Sequence, residues 1–335
     1  MAVTLKDVAL RAGVSRSAVS RAFTDGASVS GKMRRKVEAA AQELGYSPNA
    51  LASSLTTGRT KLIGLVSNNF KNPFFLQVFD QFTSGLQDRG LRPLLVNLTG
   101  DQGPEESVRM LRQYSVDGVI VVSSTVPASF AASFENANIP VVFAFARYNG
   151  SENANLVGID NEAAGAFAAR TLLARGYRHI GFLGGPDSAV STLDRLKGFA
   201  AEMAAHPEVK VSHSFSSEYS FAAGRAAMLE LLDGGDPAEV YFGADDVISI
   251  GALSAMESMG LKIPGDVGIL GLNDMEMAGW ENINLTTIRQ PIRQITSAAV
   301  DLMVSQLAAP DRYPEARLFP CTLIERGTLR ALNGG

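Results

Sequence analysis

A chain of 335 residues with 46% hydrophobic and 19% charged side chains has enough apolar matter for a large core and, by length, for two or three domains. Its apolar runs are too short to cross a bilayer and its first residues hold no apolar signal core, which excludes a membrane span and points to a cytoplasmic protein. The single cysteine, Cys321, excludes intramolecular disulfides and cysteine-rich zinc sites, and nothing in the pattern calls for a cofactor or a metal.

Charge divides the chain. Residues 1–61 hold ten Lys and Arg (Lys6, Arg11, Arg16, Arg21, Lys32, Arg34, Arg35, Lys36, Arg59, Lys61) against four acids (Asp7, Asp25, Glu38, Glu43), a net of +6. The total of -4 leaves -10 for the remainder. A basic head on an acidic body suits a polyanion held by the head alone. A solvated charged face is the plainer alternative, and charge by itself does not separate the two.

The first element follows Thr4, which with Asp7 forms a capping-box pattern, Asp standing where Glu or Gln is usual. Val8, Ala9 and Ala12 then share one helical face, and Gly13 supplies a left-handed stop. Ser15 caps a second helix over Arg16–Phe23, with Val19, Ala22 and Phe23 turned inward. Two short helices about a glycine turn make a helix-turn-helix. Arg16, Ser17, Ser20 and Arg21 face outward, as forked or small donors suited to phosphates and base edges in a major groove. A third helix runs from a cap at Ser30 to Gly45. Val37, Ala40 and Leu44 close the small core, and Lys32, Arg34, Arg35 and Lys36 are exposed. Pro48 opens a further segment, but Asn49 to Leu55 is too short to hold as a helix by itself.

The stretches "TLKDVALRAGVSRSAVSRAF", "KVEAAAQELGYSPNALASSL" and "IGLVSNNFKNPFF" resemble the lactose-repressor-type (LacI) family of bacterial transcription regulators, and the likeness runs over essentially the whole chain. The resemblance implies a homodimer reading a pseudo-palindromic double-stranded operator. It also implies a linker that folds as a hinge helix on DNA and wedges Leu55 into the minor groove. Carried over by position, Arg16 and Ser17 are the base readers and Arg21 is a guanine or phosphate contact. Thr4, Ser15, Ser20, Thr24, Ser30, Tyr46 and Asn49 are backbone contacts, and Leu5 and Ala52 complete the DNA-facing set.

From Leu62 the pattern becomes βα alternation. Strand-like runs are 62–66, 92–97, 117–123 and 140–145, then 179–184, 239–244 and 267–272, with helical stretches such as Phe79–Leu86, Ala163–Leu173, Phe221–Leu232 and Ile248–Met259 between them. Near-continuous apolar strands separated by helices imply parallel sheets covered on both faces, and two series imply two doubly wound subdomains. The fold class is therefore α/β, a helix-turn-helix head plus two doubly wound subdomains, and the family resemblance implies that these are of the type found in periplasmic binding proteins. The expected boundaries are a head at 1–47, a hinge and linker at 48–61 and a body at 62–335. The resemblance implies three crossings between subdomains, expected near Asp160, Gln290 and Pro320, so that one subdomain takes 62–160 and 291–320 and the other 161–289 and 321–335.

Ligands in such folds sit beyond the C-terminal strand ends. The candidate effector residues there are Asn69, Phe70, Phe74, Ser123, Arg147, Asp160, Arg195, Tyr219, Asp245, Asn273 and Gln290. Singly, Asp160 reads as a helix cap and Phe74 as core. Together they suit a sugar, with aromatic faces against the apolar side of a pyranose and carboxylates, amides and Arg forks on its hydroxyls. Arg147 and Arg195 balance Asp160 and Asp245, which favours an uncharged polyol. Two departures from the family pattern offset each other. Asp245 stands in "GADDV" where Asn is common, and Asn273 in "GLNDM" where Asp is common.

Two rival classes fare worse. No GxSxG, P-loop or HExxH motif is present, and His179, His206 and His213 lack an evident acid partner, which argues against an enzyme. A periplasmic solute-binding protein accounts for the body but not for the basic head. The reading is therefore a sequence-specific regulator, a repressor controlled by a small polar effector. The ending "RGTLRALNGG" lacks leucine heptads, which favours a dimer over a tetramer.

Overall fold

The computed structural model describes residues 3–24, 26–49, 54–55, 57–68, 70–98, 104–123, 133–134, 138–146 and 154–332. It divides into two compact units, residues 1–61 and 62–335.

In the first unit, helices α1 (Leu5–Ala12), α2 (Arg16–Ala22) and α3 (Gly31–Leu44) surround one small core. Each boundary has a local cause. Gly13 ends α1 at φ 59°, a left-handed conformation that costs a glycine little. The Ser15 and Ser30 hydroxyls accept the backbone N–H groups of Ala18 and Met33 at 3.2 and 3.3 Å, and Gly45 closes α3 at φ 64°. Val8, Ala9, Ala12, Val19, Ala22, Val37, Ala40 and Ala41 are buried together, with Leu44 only partly covered. Arg34 differs from expectation. Its guanidinium donates to the Ala22 carbonyl at the end of α2 and is half-buried, so only Lys32, Arg35 and Lys36 of that run are exposed.

The second unit holds two six-stranded sheets. The first uses β1 (Leu62–Ser67), β2 (Arg92–Asn97), β3 (Gly118–Val122), β4 (Val141–Ala144), β5 (Asn155–Gly158) and β11 (Ala316–Leu318), in the order β11-β5-β4-β3-β1-β2. The second uses β6 (His179–Gly184), β7 (Lys210–Phe215), β8 (Val240–Gly243), β9 (Gly268–Asn273), β10 (Thr287–Arg289) and β12 (Thr322–Ile324), in the order β12-β10-β9-β8-β6-β7. Every pairing is parallel except β12 on β10. The central strands β3, β8 and β9 are buried at every position, as strands covered on both faces must be.

The helices are α4 (Phe74–Gln87), α5 (Pro104–Gln113), α6 (Asn161–Leu173), α7 (Val190–Met203), α8 (Phe221–Asp233), α9 (Asp246–Ser258) and α10 (Ile292–Ala308). The chain leaves the first sheet after β5, returns after β10 and crosses again between β11 and β12. With the head, this is the fold class implied by the sequence. The halves built on the two sheets are called the first and second lobes below.

Glycines set the spacing of the second lobe. A Cβ on Gly165 would stand 2.0 Å from the Arg195 carbonyl oxygen, and one on Gly198 1.9 Å from that of Glu162. Helices α6 and α7 therefore touch backbone to backbone, which seats Asn161 beside Arg195. Gly224 and Gly251 do the same for α8 and α9, where added Cβ atoms would meet the Ile248 and Phe221 carbonyl oxygens at 2.4 and 2.2 Å.

This packing predicts that Gly198→Ala lowers body stability by about 1–3 kcal/mol or more, because the clash is with rigid backbone. Gly265→Ala, with nothing nearer than 3.6 Å, should stay within about 0.5 kcal/mol of wild type. Thermal melting of the two variants checks the contrast.

Candidate functional site

Two surfaces carry the polar chemistry, one in each unit. On the head, Arg16, Ser17 and Arg21 are exposed along α2, on the side opposite Val19 and Ala22. The Ser17 and Ser15 hydroxyls lie 2.9 Å apart, and Arg21 Nε donates to the Ser17 carbonyl at 3.3 Å. Thr24 Oγ1 donates to the Ser20 carbonyl at 2.9 Å, and the Ser30 hydroxyl is engaged in its cap. At the N-terminal end, the Asp7 carboxylate accepts the Thr4 hydroxyl and backbone N–H at 2.7 and 2.8 Å. The Thr4 hydroxyl bond is the main reason that the Asp7 carboxyl titrates below its usual range.

Leu5 and Tyr46 pack against the head core, Tyr46 with its ring 6.0 Å from that of Phe23, whereas Asn49 is exposed. Arg11 is engaged by Glu43 at 2.6 Å. Leu55 is helical and 89% exposed, an unusual degree for a leucine. Ala52 lies outside the described residues.

In the body, a cavity lies beyond the C-terminal strand ends, walled by both lobes. Its wall includes six of the expected residues, Phe74, Arg195, Tyr219, Asp245, Asn273 and Gln290. It also includes Asn72 and Phe75, which follow the first strand among the residues that suit a sugar, and Phe145, Ile159, Asn161 and Ser191, which the sequence does not single out as ligand contacts. Three expected residues are placed elsewhere. Phe70 stacks on Phe79 with centroids 4.8 Å apart, Ser123 donates to Asn68 Oδ1 at 2.7 Å, and Asp160 is exposed and caps α6 through the Ala163 N–H at 2.9 Å. A carboxylate held at a helix N-terminus is satisfied there, so Asp160 takes its plainer role. Asn69 and Arg147 lie outside the described residues.

The floor of the cavity is one connected polar network. Asp245 caps α9, its Oδ1 accepting the Val247 N–H at 2.8 Å. Its Oδ2 accepts Asn72 Nδ2 at 3.0 Å and Asn273 Nδ2 at 2.9 Å. Gln290 Nε2 donates to Asn273 Oδ1 at 2.6 Å. All four of these side chains are buried. Burial pushes the Asp245 carboxyl up, opposed by the Val247 N–H and by the charge of Arg195.

Arg195 is itself buried. Its Nε donates to Asn161 Oδ1 at 2.9 Å and its Nη1 to the Ala244 carbonyl at 2.6 Å. Arg195 and Asp245 are the only charged residues in the wall among the described residues, so the wall is balanced. The aromatic side has equally local causes. Tyr219 hydroxyl pairs with Thr192 Oγ1 at 2.6 Å, and its ring lies where a Cβ on Gly185 would be, 2.4 Å away. Phe74 and Phe145 meet edge to face at 5.6 Å.

Asn273 and Asp274 turn the chain at positive φ, 129° and 56°, the second in the left-handed region that Asp tolerates better than most residues. The Asp274 carboxylate fixes this turn by accepting Arg289 Nε at 2.6 Å and Arg326 Nη2 at 2.7 Å. Behind it the fully buried Asp246 accepts the Thr287 hydroxyl at 2.6 Å and the Met275 N–H at 2.8 Å. A Cβ on Gly271 would lie 2.2 Å from its Oδ1. Burial raises this carboxyl to about 7, with Thr287 and Met275 pulling it down. No group of three or more His, Cys, Asp or Glu suited to a metal occurs among the described residues. Nor, among them, is any helix long and apolar enough to cross a membrane.

A carboxyl whose folded pKa lies above its unfolded value binds its proton more tightly when folded. Its contribution is therefore present at acid pH and lost as pH rises toward about 7. The body should lose stability between about pH 5 and 8, and Asp246→Asn should flatten that slope while staying close to wild type at about pH 5, because the amide carries N–H where the protonated acid carries O–H and the Thr287 hydroxyl can accept from either. Thermal melts across the range check both effects.

Both units have counterparts among known proteins. Residues 4–49 match the model for bacterial regulatory proteins of the lacI family, and residues 169–329 match that of a periplasmic binding protein-like domain. The transcriptional repressor CytR of Escherichia coli (strain K12) is 30% identical over 334 residues, covering 99% of this chain and 97% of that one. The ribose operon repressor of the same organism is 29% identical over 329 residues, covering 97% and 99%. A lac repressor dimer bound to operator and the anti-inducer ONPF superposes with a TM-score of 0.85 at 27% identity over 99% of this chain and all of that one. A CelR–cellobiose complex superposes at 0.71 with 28% identity, over 98% and 100%. Those relatives are DNA-binding regulators rather than catalysts. By sequence along its whole length and by fold, the chain belongs to the lacI family of bacterial transcription regulators.

Proposed function

We propose that this protein is a homodimeric transcriptional repressor that reads a pseudo-palindromic operator and is controlled by a neutral sugar or sugar derivative bound between its lobes. The observation that carries the reading is the joint presence of a basic helix-turn-helix unit and a charge-balanced cavity walled by both lobes. Residues 1–47 act as the head, 48–61 as hinge and linker, and 62–335 as the effector and dimer body. That body falls into subdomains of 62–160 with 291–320 and 161–289 with 321–335.

Arg16 and Ser17 read bases, Arg21 contacts guanine or phosphate, and Leu55 is the minor-groove wedge. The exposure of all four supports these roles. Thr4, Ser15, Ser20, Thr24, Ser30 and Asn49 supply backbone contacts. In the cavity Arg195, Asp245, Asn273 and Gln290 are the polar anchors and Phe74 and Tyr219 the apolar wall. A relative described in complex with cellobiose and another named for a ribose operon support a sugar. Because both lobes wall the cavity, a ligand seated there bears on their relative position, and movement of the lobes is the natural carrier of allostery.

Arg21→Ala should cost about 1–3 kcal/mol of operator affinity, and Arg16→Ala or Ser17→Ala should change the preferred sequence. Selection from a random DNA pool reads this, and unchanged consensus sites for Arg16→Ala and Ser17→Ala would overturn the assignment. Leu55→Ala should weaken operator binding and reduce the bend seen with permuted sites, leaving the fold intact. A thermal-shift screen of sugars followed by calorimetry should find one neutral ligand, whose affinity Arg195→Ala lowers by about 1–3 kcal/mol. Ligands that are all strongly anionic would refute the neutral-sugar reading.

A further inference from the structure

The exchanged residues Asp245 and Asn273 have a physical cause in the network they share. Asn72 lies before α4 in the first lobe, and its Oδ1 is committed to the Phe74 N–H at 3.0 Å. It therefore has only N–H to offer across the cleft. Its partner at position 245 must accept twice over, once from the Val247 N–H that begins α9 and once from Asn72. A carboxylate does this with its two oxygens, whereas an asparagine would set its own N–H against that of Asn72. The same Oδ2 also faces Asn273, which must then donate, and only the amide can. With Nδ2 so directed, Asn273 turns Oδ1 to Gln290, whose Nε2 donates. Gln290 follows β10, where the chain returns to the first lobe.

We propose that Asn72, Asp245, Asn273 and Gln290 form a hydrogen-bond relay across the cleft whose two arms both donate toward Asp245, its single accepting end, and that the relay orients the Gln290 amide toward an effector. With one of the two Nε2 donors given to Asn273, the amide orientation is fixed and its carbonyl oxygen is the acceptor it can offer the cavity, one that selects an effector with an O–H or N–H donor at that point. Asp245 and Asn273 are positioning residues for Gln290. The consequence for the effector rests on the reading of the cavity given above, whereas the relay itself does not. One carboxylate, and only one, is admitted at the 245/273 pair. Asp245 is faced by Arg195 from α7, by the neutral Asn72 from the first lobe, and by Asp246 on its own helix. Asp274 stands nearby, against Asp246.

The test needs no effector. Full-length wild type, Asn273→Asp, Asp245→Asn and the double exchange are melted at about pH 5 and pH 8. Asn273→Asp places two carboxylates in contact, so one must hold a proton. Its pKa is raised, so the loss in Tm relative to wild type should be small at about pH 5 and roughly 2–10 °C at about pH 8. Asp245→Asn should lower Tm at both pH values, because a donor then faces two donors. The double exchange keeps a single carboxylate but moves it to position 273. There it can accept both the new amide at position 245 and Gln290 Nε2. This variant should lose the added pH dependence and be more stable than the sum of the single losses. The contact between position 245 and Asn72 stays unmade, so rescue is partial. A wild-type pH profile for Asn273→Asp, or additive losses in the double exchange, overturns the relay. A relay that passes with a cleft that binds no sugar leaves the relay standing and removes the effector reading.

Discussion

A buried carboxylate must be paid for in hydrogen bonds, and Asp245 is where this protein meets that constraint. Three N–H groups converge on it, from Val247, Asn72 and Asn273, while Arg195 supplies charge nearby. Each donor belongs to a different piece of chain: the helix that Asp245 itself caps, the loop after β1 in the first lobe, and the positive-φ turn at the end of β9. Satisfying one charge thus fixes the relative position of three elements. The close-packed glycine pairs serve the same end, since α6 and α7 must touch for Asn161 to hold Arg195.

The head solves a different problem. It is too small for much core, and its buried side chains are chiefly Ala and Val. Its geometry is set by capping: two serine caps, two left-handed glycines and the Thr4–Asp7 pair. That leaves the exposed face of α2 free of any structural duty apart from helix formation. A surface so relieved can change its side chains without harm to the fold, and Arg16 and Ser17, the proposed base readers, stand on it.

What could be read from the sequence follows from how local its cause is. The caps of the head and the strands β2 and β6 come out at the bounds read from the sequence, because each depends on neighbouring residues. Strand β7, "KVSHSF", lies at a sheet edge, is mostly polar and leaves no apolar run to notice. Strands β11 and β12 are three residues each and exist only through their partners. In the site, Asp245, Asn273 and Gln290 follow strands, where α/β folds place ligands. Asn72 sits in a segment holding several asparagines, and nothing local tells which of them reaches Asp245, 173 positions away. Asn161 and Ser191 enter the wall through helix packing, which no local pattern reveals. Asp160 shows the converse, a polar residue at the right strand end whose carboxylate is committed to the helix it starts.

The two surfaces make one regulator only if they are linked, and linkage has a strict signature. Whatever factor a cleft ligand applies to operator affinity, the operator must apply to ligand affinity. The decisive measurement is therefore both dissociation constants, each with and without the other partner at saturation, on the full-length protein with a sugar found by screening. Equal factors, on the order of 5–150, are expected. A factor of one in both directions, with both partners bound, would mean that the cavity and the head act separately and that the cleft is not the regulatory site.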